Sequence, residues 1–420
     1  MKFLIKTLGC KVNNYESEMI KEKLISHGFS EDENNPDICI VNTCTVTNQA
    51  DSKSRQMLRR CKKEFPNSII IVCGCITETK KENLEMIEAD IILGNYYKPM
   101  IVHYINEYLK NKEQIIRFED LTKAEFERMN VSEYDSKTRA FIKIQDGCNN
   151  FCSYCIIPYV RGRVRSKDFN EAVEEIKMLA KTHQEIVLTG IHTGAYFNNK
   201  KDLTDLIQEI SKINELKRIR ISSIEITEIN DKFLNELKTN SKICNHLHIP
   251  IQSGSDEILK SMNRKYNLKY FLDKVNQIRS IRPDINLTTD LIIGFPGETA
   301  EHFQETIETL EKLKFTKIHV FPYSVREGTV AAKLPNQING KIKKERVKQI
   351  IEISNNQELE YAKKFIDQEL DVLIEQVNEK SIGHTDNYLE ITINEKLIPN
   401  KTYKVKITEL KDNKIVAKLI

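Results

Sequence analysis

The sequence predicts an α/β protein in three parts: an N-terminal parallel α/β domain over residues 1–116, a partial (β/α)6 barrel over 139–365 and a small C-terminal antiparallel β-barrel over 366–420. Three patterns predict it. Short apolar strand candidates alternate with polar helices through the first 110 residues, which implies a parallel sheet with crossover helices. Six further strand–helix units follow, two short of the eight that close a barrel. The last stretch changes to a period of two, as in Lys404-Val405-Lys406-Ile407-Thr408.

In chain order, the first domain reads as strands at 3–8, 38–42, 68–73 and 91–93, with helices such as 14–26 and 50–63 between them. Residues 117–138 carry Glu119, Asp120, Lys123, Glu125, Glu127 and Arg128 with little apolar content, and read as a linker. Barrel strands fall at 140–145, 185–189, 218–223, 244–251, 287–293 and 316–321. Helices follow each, at 170–182, 203–214, 229–238, 255–261, 269–282 and 300–314. A charged helix over 341–364 leads out, and Lys411-Asp412-Asn413 reads as a turn before a last short strand.

Composition narrows the class. With 40% hydrophobic and 30% charged residues in 420, the chain is an ordinary soluble globular protein, and global disorder is excluded. The longest apolar stretch, around 69–76, falls far short of the ~18 residues that span a bilayer. Met1-Lys2-Phe3-Leu4-Ile5-Lys6 meets a second charge too early for a signal-peptide core, so a cytoplasmic location is expected. Lys and Arg number 64 against 61 Asp and Glu, so any nucleic-acid partner must act through local patches. Ten cysteines are too sparse for a disulfide scaffold; in a reducing compartment they are free, catalytic or metal-bound.

Their positions discriminate. Cys148-Asn149-Asn150-Phe151-Cys152-Ser153-Tyr154-Cys155 follows the first barrel strand. Three thiolates within eight residues can hold three irons of a cubane cluster, and no fourth cysteine lies nearby. One iron is then open to an outside ligand, whereas structural zinc takes four closed ligands. A second group is dispersed. Cys10, Cys44 and Cys75 each follow a strand, spaced by 34 and 31 residues, about one βαβ unit apart. In a parallel sheet these strand ends share one edge, so the three converge. Cys73 competes with Cys75, because i and i+2 share a strand face; position past the strand end favours Cys75. Cys39, Cys61 and Cys244 read as packing.

The C-x-x-x-C-x-aromatic-C pattern at the first strand of a partial barrel resembles the radical S-adenosylmethionine superfamily. The resemblance implies that the methionine end of the cofactor chelates the open iron and that its sulfonium is cleaved to a 5′-deoxyadenosyl radical, with Tyr154 against the adenine. The dispersed cysteines and the terminal barrel together are similar to the methylthiotransferases over essentially the whole chain. Leu8-Gly9-Cys10-Lys11-Val12-Asn13, Asn42-Thr43-Cys44-Thr45, Ala50-Asp51-Ser52-Lys53-Ser54-Arg55 and Pro158-Tyr159-Val160-Arg161-Gly162-Arg163 resemble the branch that acts on tRNA threonylcarbamoyladenosine. Gly74-Cys75 matches the family pattern and sets Cys75 over Cys73; Ile76-Thr77 departs from it.

The resemblance implies two 4Fe-4S clusters, S-adenosyl-L-methionine used both to methylate sulfur and to make the radical, and a 2-methylthio product beside the tRNA anticodon. An external low-potential electron donor is expected, with no stable protein partner and no membrane. Strand ends supply candidate cofactor contacts: Gly190, Glu225, Gln252 and Ser253, then Gly294 and Pro296 in a turn that suits an adenine edge. Phosphate contacts are expected from basic patches that include Arg55 and Arg59, then Arg161, Arg163 and Arg165. The terminal barrel resembles the TRAM RNA-binding module through Gly383-His384-Thr385-Asp386-Asn387-Tyr388, yet holds eight Lys against ten Asp and Glu. It therefore offers a few contacts, with Tyr388 available for base stacking. His246-Leu247-His248 reads as barrel interior rather than a metal pair. The rival substrates are isopentenyladenosine in tRNA and a ribosomal protein aspartate; the rival class is a non-catalytic iron–sulfur or RNA-binding protein.

Overall fold

A computed structural model describes residues 1–79, 88–134, 138–411 and 414–420. The first sheet consists of β1 (Lys2–Thr7), β2 (Ser30–Glu31), β3 (Ile38–Thr43), β4 (Ile69–Gly74), β5 (Ile91–Leu93) and β6 (Ile115–Arg117), in the order β2-β1-β3-β4-β5-β6. All its pairings are parallel. The crossovers include α1 (Lys11–Ser26), α2 (Asn48–Glu64) and α3 (Cys75–Thr79). β3 and β4 are buried at every residue, which is why they read as continuous apolar runs instead of alternating. The short β2 and β6 lack such runs.

The next six strands follow the expected series closely. Arg139–Lys143 (β7) pairs with Glu185–Thr189, which pairs with Arg218–Ile221; His246–His248, Asn286–Ile293 and Lys317–Pro322 form a second parallel set. A single parallel bridge, Ile219 to Ile243, joins the sets, so the six units make an open barrel with a seam. The segment before β7 is not a solvated strap. Met129, Val131 and Tyr134 belong to the core that unites the first sheet with the barrel, and Glu127 is buried against Lys143 and Arg165. Composition hides this packing because Glu127 is neutralised by cations 16 and 38 residues away, while Lys123, Glu125 and Arg128 stay exposed.

Five strands close the terminal barrel: Glu369–Val377, Ser381–Thr385, Glu390–Ile393, Thr402–Lys411 and Lys414–Leu419. One pairing, Glu390–Ile393 with Lys414–Leu419, is parallel. The turn expected at Asp412 and Asn413 lies outside the described residues. Val372, Ile374, Ile391, Val405 and Ile407 fill its interior, each contributing about 1.5–3 kcal/mol by burial. The barrel docks through the second domain. Arg218 donates to the carbonyls of His384 (3.1 Å) and Asp371 (2.7 Å), Arg220 to that of Asp386 (3.1 Å), and Asn286 to that of Asn387 (2.7 Å).

Candidate active site: two cysteine triads and a shared cavity

Parallel topology brings Cys10, Cys44 and Cys75 to one sheet edge, after β1, after β3 and at the start of α3. Gly9 shows how closely two of these loops meet. At φ +106° it occupies a region open to glycine, and a Cβ there would lie 2.7 Å from Cys44 Cβ and 2.9 Å from its Sγ. Burial pushes the Cys44 thiol up to about 11, and the neighbouring Cys75 and Cys10 add to the shift. The Cys10 thiol is raised by burial too; Arg161 and the backbone N–H of Asn13 oppose that shift. Helix α1 starts here with no acidic residue in its first turn, so its positive end is left facing Cys10. The Arg161 guanidinium donates from Nε to Cys75 Sγ at 3.3 Å. Cys73 lies in the apolar core, while Cys39 and Cys61 contact each other beneath the sheet. Cys244 is buried in the barrel.

The second triad sits on the loop after β7. The Cys155 N–H closes a turn onto the Cys152 carbonyl at 2.9 Å, and Phe151 adopts a left-handed φ of 48°. Gly147, at φ +72°, leaves no room for a Cβ: it would fall 1.9 Å from the Arg163 carbonyl oxygen. Burial, with the charges of Cys152 and Cys148 adding to it, pushes the Cys155 thiol up to about 12. Arg264 donates to Cys152 Sγ at 3.4 Å and is held by Glu225. His192 Nδ1 lies 3.7 Å from Cys148 Sγ, its other nitrogen against Glu228.

Both donor sets fit an iron–sulfur cluster. Crowded thiols ionise together only when a cation compensates them, and soft thiolates select iron–sulfur clusters or zinc. Among the described residues, no three His, Cys, Asp or Glu side chains close around a single metal ion.

A buried ion network lies behind the first triad. Glu16 of α1 accepts from Lys98, Lys143 (2.8 Å) and Arg161; Asp146 accepts from Lys143 (2.6 Å), Arg161 (3.2 Å) and Arg165 (3.1 Å). Burial alone would raise the Glu16 and Asp146 carboxyls, but these cations hold both well below the usual carboxylate range. The expectation that Arg161 and Arg165 meet phosphate is therefore corrected: Arg161 is 0% exposed and Arg165 7%, both committed to buried carboxylates. Arg163 is exposed, lying over the Phe151 ring at 4.5 Å, and Arg59 is exposed on α2, where Arg55 pairs with Asp51 at 2.9 Å.

A cavity of about 800 Å³ opens beside Cys10, and Gly190 lies on its wall. Tyr388 lines this cavity while 36% exposed, its ring stacked on His246 (5.0 Å) and His384 (4.7 Å), with Arg220 and Arg139 against it. His246 and His248 both meet the Thr288 hydroxyl, at 3.1 and 2.9 Å, and line the same cavity. The remaining candidates lie elsewhere. Tyr154 packs against the cluster of Phe295, Tyr323, Ile258 and Met262, which adjoins Gly294 and Pro296. Gln252 is at φ 65° and Ser253 is buried, its hydroxyl accepting from the Ser255 N–H at 3.2 Å. Glu225 serves Arg264. Sequence reasoning missed Arg264, His192 and Glu16, whose charged and thiol partners named above are 36 to 145 residues away, beyond any spacing rule.

Residues 142–310 match the model of the Radical SAM superfamily, and residues 2–94 that of the uncharacterized protein family UPF0004. The chain is 40% identical to a threonylcarbamoyladenosine tRNA methylthiotransferase of Bacillus subtilis, covering 96% of this chain and 92% of that one. The corresponding Thermotoga maritima protein is 36% identical, at 98% and 96% coverage. A tRNA-2-methylthio-N(6)-dimethylallyladenosine synthase of Clostridium tetani is 35% identical, at 99% and 94%. Among solved structures, the radical S-adenosylmethionine methyltransferase TsrM of Kitasatospora setae shares the fold at TM-score 0.56 and 14% identity, over 76% of this chain and 74% of that one.

Proposed function

Because the chain belongs to the radical S-adenosylmethionine methylthiotransferase family, we propose that Cys10, Cys44 and Cys75 hold one 4Fe-4S cluster, and Cys148, Cys152 and Cys155 a second beside bound S-adenosyl-L-methionine. The enzyme converts N6-threonylcarbamoyladenosine at tRNA position 37 to its 2-methylthio derivative by radical chemistry. When bound, the clusters and S-adenosylmethionine supply the electron, the hydrogen-abstracting radical and the sulfur that acid–base chemistry cannot provide at an aromatic C–H.

The protein's own share is electrostatic and positional. Arg161 faces Cys75 and Arg264 faces Cys152, so each triad has a fixed cation beside it that favours thiolate over thiol. The positive end of α1 does the same for Cys10. Tyr154 and the turn at Gly294 and Pro296 offer an apolar face for adenine, and Gly190 an open backbone at the cavity wall. Arg59 and Arg163 remain as phosphate contacts. The substrate is a tRNA carrying the threonylcarbamoyl group, the electron donor is external, and the setting is cytoplasmic; no helix among the described residues is long and apolar enough to cross a membrane.

The reading is carried by the two separate convergences of three cysteines. Anaerobic reconstitution should give a brown protein with about eight irons, and reductant with S-adenosylmethionine should release 5′-deoxyadenosine. A colourless zinc protein, or one that releases none, contradicts it.

A further inference from the structure

The cavity beside Cys10 is walled by all three parts of the chain: Lys11 from the first, Arg220 and His246 from the second, Tyr388 from the third. Its charges are unequally matched. Arg220 donates to Glu185 at 2.6 Å, and Lys317 is paired with Glu358. Lys11 has no hydrogen-bond or ion-pair partner among the described residues. It lies in the field of Arg139 and Arg220, with Asp290 as the opposing charge. The Lys11 ammonium is left without an anion in contact with it.

A donor is missing as well. His246 is 7% exposed, and its Nδ1 is buried without a partner. The polarity of that atom follows from the chain of groups behind it. Asp290 can only accept, and it lies 3.3 Å from His248 Nε2, so the neutral tautomer that suits this pair carries its proton on Nε2. His248 Nδ1 then accepts from the Thr288 hydroxyl, whose oxygen accepts from His246 Nε2–H. His246 Nδ1 is left as an unfilled acceptor. Burial and the surrounding cations keep its ring neutral, which leaves that lone pair free.

A threonine joined through its amine and a carbonyl to the adenine N6 keeps a free carboxylate and a free hydroxyl, an anion and a donor at its far end. An isopentenyl group offers neither. We infer that this wall is the specificity site for the N6 substituent: Lys11 binds the threonyl carboxylate and His246 Nδ1 accepts from its hydroxyl. The inference rests on the threonylcarbamoyladenosine reading and adds the residues that read the group. Sites built to satisfy a polar substituent reject analogues that lack it far more strongly than apolar pockets reject an extra methylene.

The test uses the reconstituted holoenzyme and anticodon stem-loop RNAs that differ only at the modified adenosine: the free acid, its methyl ester and the glycine-derived analogue without the hydroxyl. Dissociation constants and methylthio product are both measured. Wild type should bind the acid about tenfold or more tighter than the ester, the size of one charge-assisted hydrogen bond, and should also prefer it to the glycine analogue. Lys11→Gln should bring the acid-to-ester ratio near one and Lys11→Arg should restore it, whereas His246→Phe should erase only the preference over the glycine analogue. Equal binding of acid and ester by wild type overturns the inference, as does a full ratio in Lys11→Gln. If wild type converts acid and ester alike, the substrate reading survives and the Lys11 role fails; if it converts no threonylcarbamoyl RNA, both fail.

Discussion

Glu16 gathers three cations that come from three separate places in the chain: Lys98, Lys143 and Arg161. Removing one partner from a buried ion network leaves the others uncompensated and costs about 3–5 kcal/mol. Glu16→Gln should lower unfolding free energy by about that much in denaturant titrations, and should free the Arg161 guanidinium from its place beside Cys75. An unchanged midpoint would contradict the account. The network also sets acid behaviour. Glu16 and Asp146 are held below their unfolded values, so their contribution is complete above pH ~4 and is lost as pH falls through the depressed values. Glu16→Gln should therefore show a shallower loss of stability below pH ~4 than wild type. None of this was legible in the sequence. Glu16, Arg161 and Arg165 look like surface charges on polar segments, and only the fold shows that each is opposite a carboxylate or a cation 15 to 145 residues away.

The cysteines themselves were legible because their spacing obeys a rule of elements. One βαβ crossover consumes about 30 residues, so cysteines at that interval after successive strands must share an edge. The barrel strands were readable for the same reason, as apolar runs bounded by polar helices. The segment before β7 was not, because its burial depends on ion pairs that composition cannot display. Loop geometry is where the elements make their sharpest demand. Gly9 carries a positive φ and nearly touches Cys44, so Gly9→Ala forces the Cys10 and Cys44 loops apart. Iron content of Gly9→Ala should fall from about eight to about four, with 5′-deoxyadenosine release retained. A variant with full iron would show that these loops do not grip one cluster. Arg326 also ties the loop after the sixth barrel strand to Thr45, at 2.6 Å, fixing the Cys44 loop against the barrel.

At the scale of the molecule, the terminal barrel is a wall of the cavity more than a separate RNA-binding handle. Its acidic balance and the place of Tyr388 on the cavity wall agree on that. Arg218 and Arg220 fasten it through four carbonyls, those of Asp371, His384, Thr385 and Asp386. Replacing both arginines by alanine should release the barrel: limited proteolysis after residues 363–368 should become several-fold faster, while the first two domains stay protected. Unchanged cleavage would show that the apolar contacts suffice. The proposed function assigns two jobs to one enzyme, radical formation at Cys148, Cys152 and Cys155 and sulfur delivery at Cys10, Cys44 and Cys75. The most direct measurement is nucleoside mass spectrometry of threonylcarbamoyl RNA treated with Cys44→Ala enzyme, alongside an assay of 5′-deoxyadenosine. Cofactor cleavage should continue with no 2-methylthio product; methylthiolated nucleoside from that variant would show that Cys44 does not hold the sulfur-delivering cluster.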